Sequence, residues 1–260
     1  RALLDPWVSR AHGLLGRIPR RTIVLSDHVL RFIHEHGRVP AERLVRIHYG
    51  HDPVPFEAAA EAPPAERAAA RAEFGWAADD LVMICVARFA PQKAHHVLLE
   101  AFARARTIEP RLKLLLVGDD PFGDGRARAE RLAGELALGP AARFTGVRRD
   151  VARLMAASDL FVMSSLWEGF GLGFLEAMSC GIPVLATRVS AVPEVVVDGE
   201  TGVLVAPGEA APLAEGMLAL ARDPLRRAAL GRAGRARVRE RFGLERMVDE
   251  TLAVYRGLLA

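Results

Sequence analysis

The stretch LVMICVARFAPQKAHHVLLEAFARA, residues 81–105, decides the fold. Its first seven residues are apolar at successive positions, without alternation. A strand buried on both faces reads this way, because both rows of its side chains meet packed layers. Further on the period changes. Val97, Leu98, Ala101, Phe102 and Ala105 recur at the i, i+3, i+4 spacing of a core-facing helix stripe. Outward from this unit the alternation repeats. Apolar runs stand at 112–118, 142–146, 159–165, 183–188 and 201–206, with helical patterns at 125–138, 149–158 and 171–179 between them. Strands alternating with helices of this length imply crossover units and a parallel sheet. The expectation is an α/β fold, a doubly wound parallel sheet of about six strands, with ligands bound at the carboxyl ends of the strands.

The flanks differ. RTIVLS (21–26) and RLVRIHYG (43–50) look like two further strands, with an amphipathic helix near Asp27 to His36. Two strands do not make a stable sheet alone, so residues 1–52 read as the remaining edge of a second, amino-terminal domain. The first residue is Arg1 rather than Met, which fits a processed, trimmed or partial chain. Residues 53–66, rich in Pro, Ala and Glu, read as a linker. The doubly wound domain is assigned to 67–242. The closing segment 243–260 reads as a helix whose Met247, Leu252, Val254, Tyr255 and Leu258 offer an apolar face to another body.

Composition removes several function classes. Of 260 residues, 51% are hydrophobic and 26% charged, which excludes a disordered chain. The apolar runs are far shorter than the roughly 20 residues of a membrane span, and the first residues lack a leader pattern. Cys85 and Cys180 stand far apart, so no disulfide framework is expected and a reducing, cytoplasmic compartment is. The pairs His34/His36 and His95/His96 have no Cys or carboxylate at ligand spacing, and no metal or other cofactor is expected. The net charge is +3, and among 35 basic residues only Lys93 and Lys113 are lysines. Such a skew reflects coding bias more than nucleic-acid binding. The basic stretch 226–242 lacks interleaved aromatics and reads as a solvated helix, with weak contact to an anionic membrane face as the alternative.

Two loops carry candidate chemistry. RFAPQKAHH (88–96) follows the first strand of the main sheet and presents Arg88 and Lys93. It holds no G-x-G-x-x-G fingerprint. A planar fork and a mobile point charge at a strand's carboxyl end suit a diphosphate. SSLWEGFGLGFLEAMSCG (164–181) places Gly169, Gly171 and Gly173 in a turn leading into a helix. Backbone N–H groups and the helix dipole favour an anion there. Glu168 and Glu176 flank this cradle eight positions apart, where sugar and ribose hydroxyls could donate to them. A Glu-x7-Glu spacing arises by chance about once in a chain this long; the glycine turn between strand and helix gives it weight. The acidic loop GDDPFGDG (118–125) lacks a third ligand at metal spacing and reads as a solvated rim.

Together, 86–102, 114–121, 143–147, 157–187 and 198–208 closely resemble the carboxyl-terminal half of the retaining, nucleotide-sugar-dependent glycosyltransferases of the group 1 class (family 4, GT-B fold), over nearly the whole chain. The resemblance implies a Rossmann-like donor domain beside the remnant of a second Rossmann-like domain, whose greater part, with its acceptor residues, is not in this sequence. It implies transfer of a hexose from a nucleotide diphosphate to an acceptor hydroxyl with retention and without a divalent metal. Front-face attack is the usual account, the leaving phosphate assisting acceptor deprotonation. Arg88 and Lys93 match the diphosphate pair, Glu168 the carboxylate near the donor sugar and reacting carbon, and Glu176 the ribose carboxylate. Gly169 belongs to the glycine turn, in which Phe170, Gly171 and Leu172 match the segment whose amides face sugar and phosphate. Val147 matches a backbone position beside the base. The acceptor, whether glycan, lipid or small molecule, stays open, and so does the base. A non-catalytic nucleotide-sugar-binding module of the same fold is the alternative. Ala94, Ser164 and Tyr49 depart from the family pattern, which has Gly, Pro and Asn there.

Overall fold

The computed structural model describes residues 18–259; the sequence-based expectations for residues 1–17 lie outside them. A small parallel pair, β1 (Thr22–Val24) and β2 (Leu44–Arg46), is joined by α1 (Asp27–Gly37). Val24, Val39 and Leu44 form its own small core. Next come α2 (Val54–Ala60) and α3 (Pro64–Ala72). The stretch 53–66, read from composition as a linker, is largely helical in these two segments. Alanine is the strongest helix former, and Pro64, at the first turn of α3, loses no hydrogen bond there.

The main sheet follows: β3 (Leu81–Val86), α4 (His95–Ile108), β4 (Leu112–Val117), α5 (Gly125–Glu135), β5 (Ala142–Gly146), α6 (Val151–Ala156), β6 (Leu160–Met163), α7 (Leu172–Ser179), β7 (Val184–Thr187), α8 (Val192–Val195) and β8 (Gly202–Val205). All six strands are parallel, in the order β5-β4-β3-β6-β7-β8. The chain winds outward from β3 to β5, returns to β6 beside β3, and winds the other way. This confirms the doubly wound expectation for each apolar run. The carboxyl ends of β3 and β6 flank the reversal point, where such sheets bind ligands. The loops 88–94 and 164–171 leave from these two strands.

Close packing at this edge selects glycine at Gly118, where a Cβ would lie 1.9 Å from the Ala87 carbonyl oxygen. Helices α9 (Ala210–Arg222), α10 (Pro224–Arg241) and α11 (Leu244–Leu259) close the chain. The start of α11 returns against residues 50–51, with the His51 amide donating to the Phe242 carbonyl at 2.8 Å. Farther along α11, Val248, Leu252 and Tyr255 remain exposed.

The arginines of α10 are more structural than the sequence suggests. Arg227 donates to the carbonyls of Leu220 and Ala221, and Arg239 forks onto Glu57. Arg235 pairs with Glu61, and Arg237 donates to the carbonyls of Glu194 and Val195. Much of the apparent basic surface is therefore consumed in fastening α2 and α8. No helix among the described residues is long and apolar enough to cross a membrane.

Candidate functional site

The loop after β3 forms a single helical turn, Pro91–Lys93, before α4 begins at His95. Lys93 therefore ends this turn and lies just before α4. Ala94 joins the two at φ 48°, ψ 47°, the left-handed region. A Cβ costs about 1 kcal/mol there, which explains why glycine is the family pattern at this position. Ser164, the second departure, is buried and its hydroxyl donates to the Lys93 and Ala94 carbonyls at 2.8 and 3.0 Å. The Leu166 amide donates to the Gln92 carbonyl at 2.7 Å. The two loops are thus fastened side by side.

Across this seam Lys93 Nζ donates to Glu168 Oε1 at 2.5 Å, and the Ser165 hydroxyl donates to the same oxygen at 2.7 Å. Glu168 and Ser165 are both buried. Oε2 of Glu168 takes no hydrogen bond from a described residue, which leaves it for an incoming hydroxyl. Ser165 was not singled out by sequence reading; it lies inside the quoted 164–181 motif, but only its rotamer shows whom it serves. Arg88 is exposed at the same strand end, and its guanidinium is engaged by no described side chain. The two cations therefore differ: one is held by a carboxylate, the other open to solvent.

Gly171 takes φ +92°, and a Cβ there would lie 2.5 Å from the Phe174 ring, so the turn requires glycine at this point. It leads straight into α7, whose amino terminus no side chain caps. The amides of Leu172 and Gly173 belong to the first helical turn and have no acceptor within the helix. Leu172 itself is exposed. Phe170 is buried: its ring packs against His48, Tyr49 and Phe242 at 5.6–5.7 Å. Only its backbone can face a ligand. Tyr49, the third departure, meets this ring edge-on.

Glu176 lies one helical turn farther, half-buried. Its carboxylate accepts no hydrogen bond and forms no ion pair with a described residue, and burial raises its pKa above the usual carboxylate range. A desolvated acceptor without a donor invites a ligand that supplies hydroxyls. Glu176→Gln is expected to weaken nucleotide-sugar binding about tenfold while raising the melting temperature of the unliganded chain, because the uncompensated charge is gone. Calorimetry and thermal unfolding on one preparation check both signs.

Val147 is 70% exposed just past β5, so its backbone stands open at the sheet's carboxyl edge. Asp120, in the acidic loop, accepts from the Gly125 and Arg126 amides at 3.3 and 3.1 Å and so caps α5. A cleft of about 290 Å³ opens beside the 88–96 loop between α4 and α5, but none of the residues named for the site lines it.

His95 stacks on Phe89 at 4.5 Å, and burial pushes its pKa down to about 4. It is neutral at pH 7. An unfolded histidine binds its proton near pH 6.5, so the stability is fully present above that pH and is lost as pH falls toward 4. The loss approaches about 3 kcal/mol. Urea unfolding across this window is expected to show the slope, and His95→Gln to remove most of it. Cys85 and Cys180 are free and buried, with both thiols pushed up to about 12 by desolvation.

The profile of the family described as "Glycosyl transferases group 1" matches residues 66–237. A D-inositol 3-phosphate glycosyltransferase of Rhodococcus jostii is 39% identical over 230 residues, covering 83% of this chain and 50% of that protein. N-acetyl-alpha-D-glucosaminyl L-malate synthase of Bacillus anthracis is 34% identical over 187 residues, 72% of this chain and 48% of that protein. This chain thus spans about half the length of the curated relatives it matches. Among solved structures, Anabaena HepE in complex with UDP and glucose superposes with a TM-score of 0.87 at 27% identity, covering 99% of this chain and 69% of that one. HepE has also been solved with UDP-glucose, where the TM-score is 0.87 at 28% identity, covering 97% of this chain and 70% of that one. The fold is accordingly the Rossmann-like domain of GT-B glycosyltransferases.

Proposed function

Because this chain belongs to the group 1 glycosyl transferases, we propose that it carries the donor half of an enzyme moving a hexose from a nucleotide diphosphate, UDP in the first instance, to an acceptor hydroxyl. Anomeric configuration is retained and no divalent metal takes part. The observation that carries the reading is the convergence at one sheet edge of two cations, an uncapped helix start and two carboxylates with free acceptor capacity.

The residues divide the work by chemistry. Arg88, Lys93 and the first-turn amides of α7 receive the diphosphate, and Glu176 accepts from the ribose. Glu168 accepts from the transferred sugar through Oε2, while its other oxygen stays with Lys93 and Ser165. The backbone at Val147 lies beside the base. As the bond from the anomeric carbon to the phosphate oxygen breaks, negative charge grows on the leaving diphosphate, and preorganised cations and amides meet it there. The acceptor oxygen attacks from the same face and its proton passes to a phosphate oxygen. The amino-terminal domain of the whole protein supplies acceptor recognition.

The reading is supported by the relative named D-inositol 3-phosphate glycosyltransferase and by the HepE structures with UDP and UDP-glucose. Titration calorimetry with UDP-glucose, UDP-N-acetylglucosamine and a GDP-sugar, each with and without EDTA, tests it. Binding of at least one donor that survives EDTA is expected; no binding of any at millimolar concentration overturns it. Unchanged turnover of the whole protein after Glu168→Ala would instead make it a non-catalytic sugar-nucleotide-binding module.

A further inference from the structure

Ser26 lies 143 positions before Gly169, in the small amino-terminal unit, yet its hydroxyl donates to the Gly169 carbonyl at 2.9 Å. Ser26 is wholly buried. The same oxygen accepts from the Val29 amide at 3.1 Å as the cap of α1. One hydroxyl therefore closes the amino terminus of α1 and grips the glycine turn. The grip is backed by a second anchor. Glu194 on α8 accepts from the Asp27 and His28 amides, both at 2.8 Å, two donors that α1 cannot satisfy internally. Its carboxylate also meets His48 Nε2 at 3.2 Å, and the His48 ring packs on Phe170. From the same loop-helix segment, the Ala191 amide donates to the Glu168 carbonyl at 3.3 Å.

Asp27, His48 and Glu194 bring their ligand atoms within 4.8 Å of one another. A cation is a poor occupant. Arg46 pairs with Asp27 at 3.0 Å, and both Glu194 oxygens already accept backbone amides. The cluster is better read as a latch between the amino-terminal unit and the donor turn.

What the latch does follows from peptide geometry. In a trans peptide the C=O and the next N–H point in opposite directions. Holding the Glu168 and Gly169 carbonyls toward Ala191 and Ser26 therefore turns the Gly169 and Phe170 amides the other way. Phe170, its ring clamped by His48, Tyr49 and Phe242, cannot rotate to undo this. Glycines on either side would otherwise leave the peptide planes free.

We propose that Ser26 is a positioning residue of the donor site: by anchoring the Gly169 carbonyl from outside the donor domain, it aims the Phe170 amide at the bound sugar-diphosphate. Glu194 is its support, holding the helix that carries it. The inference rests on the nucleotide-sugar reading above, and it makes the amino-terminal unit part of the binding machinery.

The test uses the full chain with Ser26→Gly, which glycine's tolerance at helix caps keeps foldable, with Ser26→Ala, and with Ser26→Thr, which restores a hydroxyl. UDP-glucose affinity is measured by calorimetry, and amide exchange over residues 168–172 by deuterium uptake without ligand. Gly and Ala are expected to lose about tenfold in affinity and to speed exchange in the turn, while Thr stays within about twofold of the parent. Parent-like affinity in the Gly and Ala variants, or failure of Thr to rescue, overturns the inference and leaves the donor reading intact. A parent chain that binds none of the UDP- and GDP-sugars at millimolar concentration overturns both.

Discussion

Lys93→Met is expected to lower affinity for a UDP-sugar by about tenfold to a hundredfold, the value of one charge-assisted contact to phosphate. It should also cost stability, because Glu168 is left buried with only the Ser165 hydroxyl on its charge. Breaking a buried pair by removing one partner costs about 3 kcal/mol. Part of the lysine stays solvated, which reduces the figure to about 2 kcal/mol. The two losses separate in the double variant Lys93→Met/Glu168→Gln. A neutral amide still accepts from Ser165, so most of the stability returns, while affinity does not. Calorimetry and urea unfolding on the three proteins provide the readout. If Lys93→Met binds UDP-sugars like the parent, the lysine has no part in the diphosphate site.

Asp159→Ala is expected to be the most destabilising single change, by about 3–5 kcal/mol. Asp159 stands at the start of β6 and accepts from Arg67 at 2.5 Å, Arg71 at 2.7 Å and the Val82 amide at 2.8 Å. Arg71 is buried and also donates to the carbonyls of Ala157, Ala78 and Asp80. Removing the carboxylate strands a buried guanidinium, unfastens α3 from the sheet and leaves one strand amide unpaired. A typical domain has only about 5–15 kcal/mol in total, so the variant sits near the folding threshold. Urea midpoints at constant slope are the check. A loss below about 1 kcal/mol would mean that the arginines find other partners. Asp159→Asn, which can still accept from Val82, should fall between.

The sheet was legible because the signal for each element is local. Six apolar runs without alternation became the six strands, within a residue or two at each end. The candidate cations and carboxylates were legible from residue type and position relative to those runs. The helices within residues 53–66 were not legible because Pro, Ala and Glu together read as a spacer, although alanine runs behind a proline are also how a short helix begins. Ser26 followed by an acidic residue is recognisable as a helix cap; nothing near it announces Gly169. Lys113 had no role in sequence and proves to pair with Asp80 at 2.9 Å, a clasp at the far end of the sheet.

By itself the sequence determined the period of each segment, hence strand or helix, and the chemical kind of each loop, because these depend on neighbours within about two helical turns. Only the tertiary structure decided which loops meet. The order β5-β4-β3-β6-β7-β8 places β3 against β6, and that adjacency alone brings Lys93 to Glu168 across 75 positions. Whether a carboxylate is paired, as Glu168 is, or bare and half-buried, as Glu176 is, depends on side chains distant in sequence and on the solvent they exclude. The same holds for Ser26: its local role is to start a helix, and packing of the two units gives it the Gly169 carbonyl.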